Sequence, residues 1–330
     1  MRDYYYYLPW PWVSKSSYTQ WKYYCQYKFG RSKVDGVKYV TEGNKAMDRG
    51  TILHLAFCNL FDVVDLDQML ELDPNVAKDT PLNPIYRYLL EKVFEIPGIP
   101  RNVDNYLYNN IKAFCRFEAN EYREIWNEHG SKKALEKYWY LNSAQREKFI
   151  RNDKFQLFGT IDRVSIDYNS DSIIIVDYKT GKVPIAILEE RRTSTGWQKD
   201  MQSKLVKQGN FYCALYLLNH GYTLDYDKDG KLQFYRDGNK CSIKKMYYGY
   251  VYTGVDRNAD RNCFPRYRES YKKFSMRSFR TTISDIVEDM RTQTVFPRPE
   301  PKAMEYSCGP NCEYYEPECK PYVSQYIKEE

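Results

Sequence analysis

Apolar positions between residues 49 and 63 recur on a helical period, with Ile52, Leu53, Leu55, Ala56 and Leu60 on one face. The same period in Leu107, Ile111, Phe114, Phe117 and Ile125 predicts a long helix over 104–129. Between them, DPN, TPLNP and IPGIP mark loops around a shorter helix near 84–95. The pattern then changes. Residues 134–141, 155–168 and 172–178 favour strands, and the last two meet at Asn169-Ser170-Asp171, which predicts a hairpin. A helix is expected over 197–219, ended by His220-Gly221. Residues 222–245, with KDGK and RDGNK turns, read as a polar hairpin or insertion, 246–253 as a strand, and 273–292 as a helix. Near the N-terminus, SSYTQWKYYCQYKFG predicts a short helix capped by Ser17 and carrying Tyr18, Trp21 and Tyr24. The tail from Phe296 is rich in Pro and Cys and predicts little regular structure. This element order suggests α/β or α+β with a small mixed central sheet, and the expectation adopted is α/β, with a central mixed sheet of about four or five strands flanked by helices.

Composition narrows the class. The 330 residues are 42% hydrophobic and 28% charged, a globular balance that argues against disorder. No apolar run approaches the roughly 18–20 residues needed to span a bilayer, and no signal-peptide pattern opens the chain. We therefore expect a cytoplasmic protein (host cytoplasm if viral) with no membrane partner. The net charge of +6 permits a polyanionic partner without demanding one. Thirty-four Tyr suit stacking on unpaired bases, but equally reflect a biased composition. Nine Cys, an odd number, do not suggest a disulfide framework in this setting. Five of them, Cys58, Cys115, Cys213, Cys241 and Cys263, lie singly and read mostly as small buried hydrophobes.

The most informative segment is FGTIDRVSIDYNSDSIIIVDYKTGK, residues 158–182. Ile173–Val176 form a buried-strand run that ends in Asp177-Tyr178-Lys179. Asp177 and Lys179, two apart on a strand, point to one face. Across the hairpin, Asp162 can approach Asp177. Two carboxylates and an ammonium at the end of a buried strand are costly unless compensated. A divalent metal would compensate them, held by Asp162, Asp177 and the carbonyl of Tyr178, with Lys179 placed to orient a water and neutralise a phosphate. By itself Asp-x-Lys is also a common surface ion pair. Arg163, Lys182, Arg191 and Arg192, nearby in sequence, read either as phosphate contacts or as a solvated charged face.

In this order, Gly159, Asp162, Asp177, Tyr178, Lys179, Thr180 and Gly181 resemble the core signature of the RecB-like branch of PD-(D/E)XK nucleases. Two further elements are similar to that branch: Gly50-Thr51-Ile52-Leu53-His54 upstream and Gln208-Gly209-Asn210-Phe211-Tyr212 downstream. The resemblance implies a restriction-endonuclease-like core that hydrolyses DNA phosphodiesters with Mg²⁺ or Mn²⁺. His54, Asp162 and Asp177 would hold the metal, Lys179 would position the water, and Gln208 and Tyr212 would orient the water or the phosphate. It further implies exonucleolytic action on single-stranded or frayed ends, leaving a 5′-phosphate and a 3′-hydroxyl. No GxxxxGK[ST] motor motif is present, so a helicase or recombination partner is one expectation.

Cys308, Cys312 and Cys319, packed into SCGPNCEYYEPEC, look like a metal cap. AddB-type subunits and CRISPR-associated adaptation nucleases in the same branch place one Cys before the core and three after it. The resemblance thus implies a [4Fe–4S] cluster on Cys25, Cys308, Cys312 and Cys319. The C-x3-C-x6-C spacing departs from the commoner C-x2-C form, which leaves Zn²⁺ on four thiolates as the competing reading. The expected organisation is an N-terminal segment, 1–48, a nuclease core, 49–295, with a helical insertion at about 64–130, and a Cys-rich cap, 296–330, packing back on the N-terminus. The similar stretches are roughly 14–30, 49–58, 155–182, 204–216 and 296–320. Alternative readings are a partner-dependent nuclease subunit, a non-catalytic DNA-binding subunit with a structural metal–thiolate cap, and a zinc-bracketed protein with a chance Asp-x-Lys hairpin.

Overall fold

A computed structural model describes residues 11–23, 25–37, 39, 45–142, 145–180, 196–255, 258–301, 304 and 312–326. Among them, six strands build the main sheet. Strand β3 (Leu157–Ile166) runs antiparallel to β2 (Arg146–Asn152) and β4 (Ile173–Lys179), and parallel to the two-residue β1 (Val13–Ser14). Strand β4 pairs in parallel with β8 (Met246–Tyr252), which pairs antiparallel with β9 (Arg268–Lys273). A separate three-stranded sheet, β5 (Thr223–Tyr226), β6 (Leu232–Arg236) and β7 (Asn239–Lys240), occupies the predicted polar insertion.

Successive residues of β4 face opposite sides of the sheet. Val176 and Tyr178 enter a core with helices α3 (Lys45–Val63), α5 (Pro84–Val93), α6 (Asn105–His129) and α7 (Lys132–Tyr138). Ile175 enters a second core with α1 (Lys15–Tyr23), α8 (Gly196–Leu218), α9 (Met276–Ser284) and the small sheet. The short helices α2 (Gln26–Phe29) and α4 (Leu66–Leu70) lie in the connections, and α10 (Lys320–Tyr326) closes the tail. None of the helices, among the described residues, is long and apolar enough to cross a membrane.

Several expectations change. Residues 134–141 are not a strand: Ser131 caps α7, and Leu135 and Trp139 turn one helical face into the core. The aromatic run Tyr138-Trp139-Tyr140 imitates a strand composition, but the i, i+4 spacing decides. Ser17 is not the cap of α1. Ser14 precedes the helix and exchanges hydrogen bonds with Ser17, whose backbone N–H donates to Ser14 Oγ at 3.1 Å. Strands β1, β2 and β9 add to the expected set and bring the sheet to six. The tail holds α10 where little structure was expected.

Candidate active site

The β3–β4 hairpin carries the two acidic side chains. Its register pairs Arg163 with Val176, so Asp162 and Asp177 face each other one step further along. Asp162 Oδ2 accepts the Tyr178 N–H at 3.0 Å, which fixes one carboxylate to the neighbouring strand. Asp177 Oδ1 accepts from Gln208 Nε2 at 2.8 Å. Its buried Oδ2 is ion-paired with the Lys179 ammonium along the same strand face and has no further hydrogen-bond partner among the described residues. From α3, His54 Nδ1 lies 3.8 Å from Asp162 Oδ1.

Helix α8 comes close to the sheet behind this group. A Cβ on Gly209 would lie 2.1 Å from the Tyr248 ring, so only glycine permits the contact that brings Gln208 to Asp177. On the facing strand, a Cβ on Gly159 would lie 3.0 Å from the Tyr212 ring. Tyr178 projects to the other side of the sheet, packed edge-on against Phe57 and Phe114. Its hydroxyl accepts from Arg163 at 3.2 Å.

The electrostatics separate the two aspartates. Burial, together with the Asp177 charge, raises the Asp162 carboxyl to about 6, against the opposing pull of His54 and Lys179. Burial also pushes Asp177 up, but Lys179 and Lys15 outweigh it and hold its carboxyl below the ordinary value. Lys15 was not singled out from the sequence. Burial, then Lys179 and Lys204, push its ammonium down to about 7, while Asp177 and Asp162 pull the other way. Strand β1, paired with β3, delivers Lys15 to this position at the first turn of α1. Tyr18 donating to Asp285 at 2.8 Å and Trp21 donating to Gln293 at 2.6 Å anchor that helix.

These groups open into a cleft of about 980 Å³, lined among others by Lys15, His54, Glu147, Asp162, Asp177 and Tyr212. A polar, open cleft with acidic groups on its floor and lysines around them suits a polyanion whose reacting phosphate meets a cation there. The buried Asp177 Oδ2, met only by the Lys179 ion pair among the described residues, the opposed Asp162 and the imidazole form a donor set that fits a hard divalent cation.

Arg163 does not reach the cleft. It is 2% exposed, ion-paired with Glu118 of α6, and donates to Ser165 Oγ at 2.6 Å. Neither expectation for it, a phosphate contact or a solvated charged face, holds, because a guanidinium on the inner face of β3 is buried and neutralised from the helical layer. Gly181, Lys182, Arg191 and Arg192 lie outside the described residues.

On the wall of the cleft, residues 25–37 and 39 are tied to residues 312–323. Glu318 accepts from Arg31 at 3.0 Å and from Tyr39 at 2.6 Å, and Lys28 pairs with Glu313 at 2.7 Å. Cys25 caps α2, its Sγ accepting the Lys28 N–H at 3.4 Å. Burial raises its thiol pKa, and Cys312 facing it adds to the effect. Cys319 is buried in a small cluster against which Cys312 and Tyr27 pack. Cys308 lies outside the described residues. Of the five single cysteines, Cys58, Cys115 and Cys213 are buried, whereas Cys241 and Cys263 are half-exposed.

A search of curated proteins finds no match to this chain. A family model, however, matches residues 15–317, from the start of α1 to the Cys-rich tail, and so includes the hairpin, α3 and α8. With that match over nearly its whole length, and with the paired aspartates and lysine on its central hairpin, the chain belongs to the PD-(D/E)XK nuclease superfamily.

Proposed function

We propose that this protein is a Mg²⁺- or Mn²⁺-dependent deoxyribonuclease that shortens single-stranded or frayed DNA from its ends. The observation that carries the reading is the meeting of Asp162 and Asp177 from adjacent strands, beside Lys179 and His54, on the floor of an open cleft. Asp162, Asp177 and His54 would hold the cation, with the Tyr178 carbonyl as a further oxygen. The cation would supply Lewis acidity toward the scissile phosphate.

The remaining steps fall to the chain itself. Lys179 orients the attacking water and offsets charge on the pentacovalent phosphate. Gln208 fixes the Asp177 carboxylate through its hydrogen bond, and so acts on the metal ligand rather than on the water. Tyr212 borders the cleft where the phosphate would lie. Lys15, its pKa lowered to about 7, adds a second amine to the cleft wall that carries charge in part of the molecules at neutral pH. The end preference rests on the resemblance to the RecB-like branch, supported by the packing of Cys25, Cys312 and Cys319. With Cys308 they would hold a [4Fe–4S] cluster that braces the N-terminal segment against the tail. Finding iron in the purified protein would support this, and finding zinc alone would replace the cluster with a Zn²⁺ site.

The test is cleavage of end-labelled single- and double-stranded DNA and of closed circular single strands, with Mn²⁺, Mg²⁺ or chelator, for wild type and Lys179→Ala. Metal-dependent loss of ends, absent in the variant, is expected. Cutting of the circles would make the enzyme an endonuclease. No cutting by metal-replete protein would overturn the reading in favour of a partner-dependent or DNA-binding subunit.

A further inference from the structure

Beside the proposed catalytic group lies a second set of donors of different chemistry. His54 and Cys58 are four apart on α3 and share a face of that helix. Glu147 comes from β2, where the register that pairs Arg146 with Arg163 and Lys148 with Ile161 sets it opposite Asp162. One donor atom from each of His54, Cys58 and Glu147 lies within 4.8 Å of the others, the one such group among the described residues.

Two features hold them together. The Arg146 guanidinium donates to the Cys58 carbonyl and to the Asp62 carboxylate, which clamps β2 onto α3. Glu147 itself sits at φ +40°, a left-handed conformation that a side chain with a Cβ adopts only under constraint.

Sulfur, imidazole nitrogen and carboxylate oxygen are a zinc donor set. Ligands at about 2.0–2.3 Å from a tetrahedral ion lie roughly 3.3–3.8 Å apart, so the observed spacing closes with about 1 Å of side-chain movement. The Glu147 side chain is exposed on the cleft wall, where rotation about its own side-chain bonds supplies that movement. Cys58 is a poor ligand for Mg²⁺ or Mn²⁺, which prefer oxygen. The two donor sets therefore select different metals, yet they share one imidazole: His54 also faces Asp162 at 3.8 Å.

We propose that His54, Cys58 and Glu147 form an inhibitory zinc site, which draws His54 away from the catalytic carboxylates when filled. Burial and the Asp162 and Glu147 carboxylates keep the free thiol protonated. Zinc binding forms the Zn–S bond and releases that proton to solvent. The site itself does not depend on the nuclease reading; only the word inhibitory rests on it.

Three measurements on the full chain, with its cysteine cap loaded, decide the matter. Cobalt(II) titration followed by absorption should show a thiolate-to-cobalt band in wild type that is absent in Cys58→Ser and weakened in Glu147→Gln. Both changes are mild: serine is close in size to cysteine, and Glu147 is exposed. Mn²⁺ binding followed by electron paramagnetic resonance should show zinc expelling manganese from wild type but not from Cys58→Ser. Zinc at a level that slows wild-type DNA cleavage at least tenfold should leave Cys58→Ser within twofold of its zinc-free rate. No Cys58-dependent band overturns the site. Equal loss of manganese from both proteins, or equal inhibition of both, overturns the competition for His54. If wild type cuts no DNA, the nuclease reading fails while the cobalt and manganese results still decide this one.

Discussion

The two aspartates of the hairpin should respond to the same substitution with opposite signs. In metal-free protein, Asp162 is held in a site that disfavours its charge, through burial and the neighbouring Asp177, with its carboxyl raised to about 6. From an ordinary value of about 3.9, the shift is near two units, and at 1.36 kcal/mol per unit the ionised form costs about 3 kcal/mol at neutral pH. A raised carboxyl weakens the fold as pH rises through the interval between the two values. The penalty is thus about 1 kcal/mol near pH 4.5 and its full value above about pH 7. Asp162→Asn removes the charge while its amide oxygen can still accept the Tyr178 N–H. In chelator at about pH 7.5 it should therefore be more stable than wild type by up to about 3 kcal/mol, with the gain shrinking toward pH 4.5. Asp177 is depressed by Lys179 and Lys15, outweighing burial, so its charge stabilises above the ordinary carboxylate range and is lost as pH falls. Asp177→Asn should destabilise under the same conditions. Urea unfolding of the three proteins at both pH values is the assay. Added Mg²⁺ should stabilise wild type and neither variant. If Asp162→Asn were no more stable than wild type at about pH 7.5, or if both variants moved in the same direction, the account of a charge-frustrated metal site would be refuted.

Two predictions concern the supports of the site. Arg163→Met should cost about 3–5 kcal/mol, because it leaves Glu118 buried without its cation, and Glu118→Gln in that background should restore much of the loss. Thermal unfolding of the single and double variants checks this. Gly209→Ala should cost about 1–3 kcal/mol by pushing α8 off the Tyr248 ring, and should weaken metal binding through the Gln208 to Asp177 bond. Calorimetric Mn²⁺ titration would test the second effect, with Gly50→Ala as control, since a Cβ there meets nothing within 4 Å.

The central hairpin was legible because its information is local. Alternation in β3 and β4, with a polar turn between them, sets the register that opposes Asp162 and Asp177. Helix α6 was legible for the same reason: it has a long apolar period, an Asp104 cap accepting the Leu107 N–H, and Gly130 at φ +56° to end it. Strand β1 was not, since two residues carry no period of their own and exist by pairing with Leu157 and Phe158. Nor was β9, whose RESYKK is almost wholly exposed on an edge. Helix α7 was misread because its aromatics satisfy either pattern until a core is present to choose the face.

The chain by itself determined the fold class, the order of the acidic pair and its lysine, and the spacing of His54, Gln208 and Tyr212 on their helices. These depend on residues within a few positions of one another, where backbone period alone fixes direction. Tertiary structure decided everything that depends on distant partners. It turned Arg163 inward because Glu118, from another layer, compensates it. It brought Lys15 beside Asp177 through a two-residue strand. It set Glu147 and Cys58 around the imidazole that faces Asp162. Charge and metal affinity at a buried site are sums over neighbours in space, and those neighbours are chosen only when the layers pack.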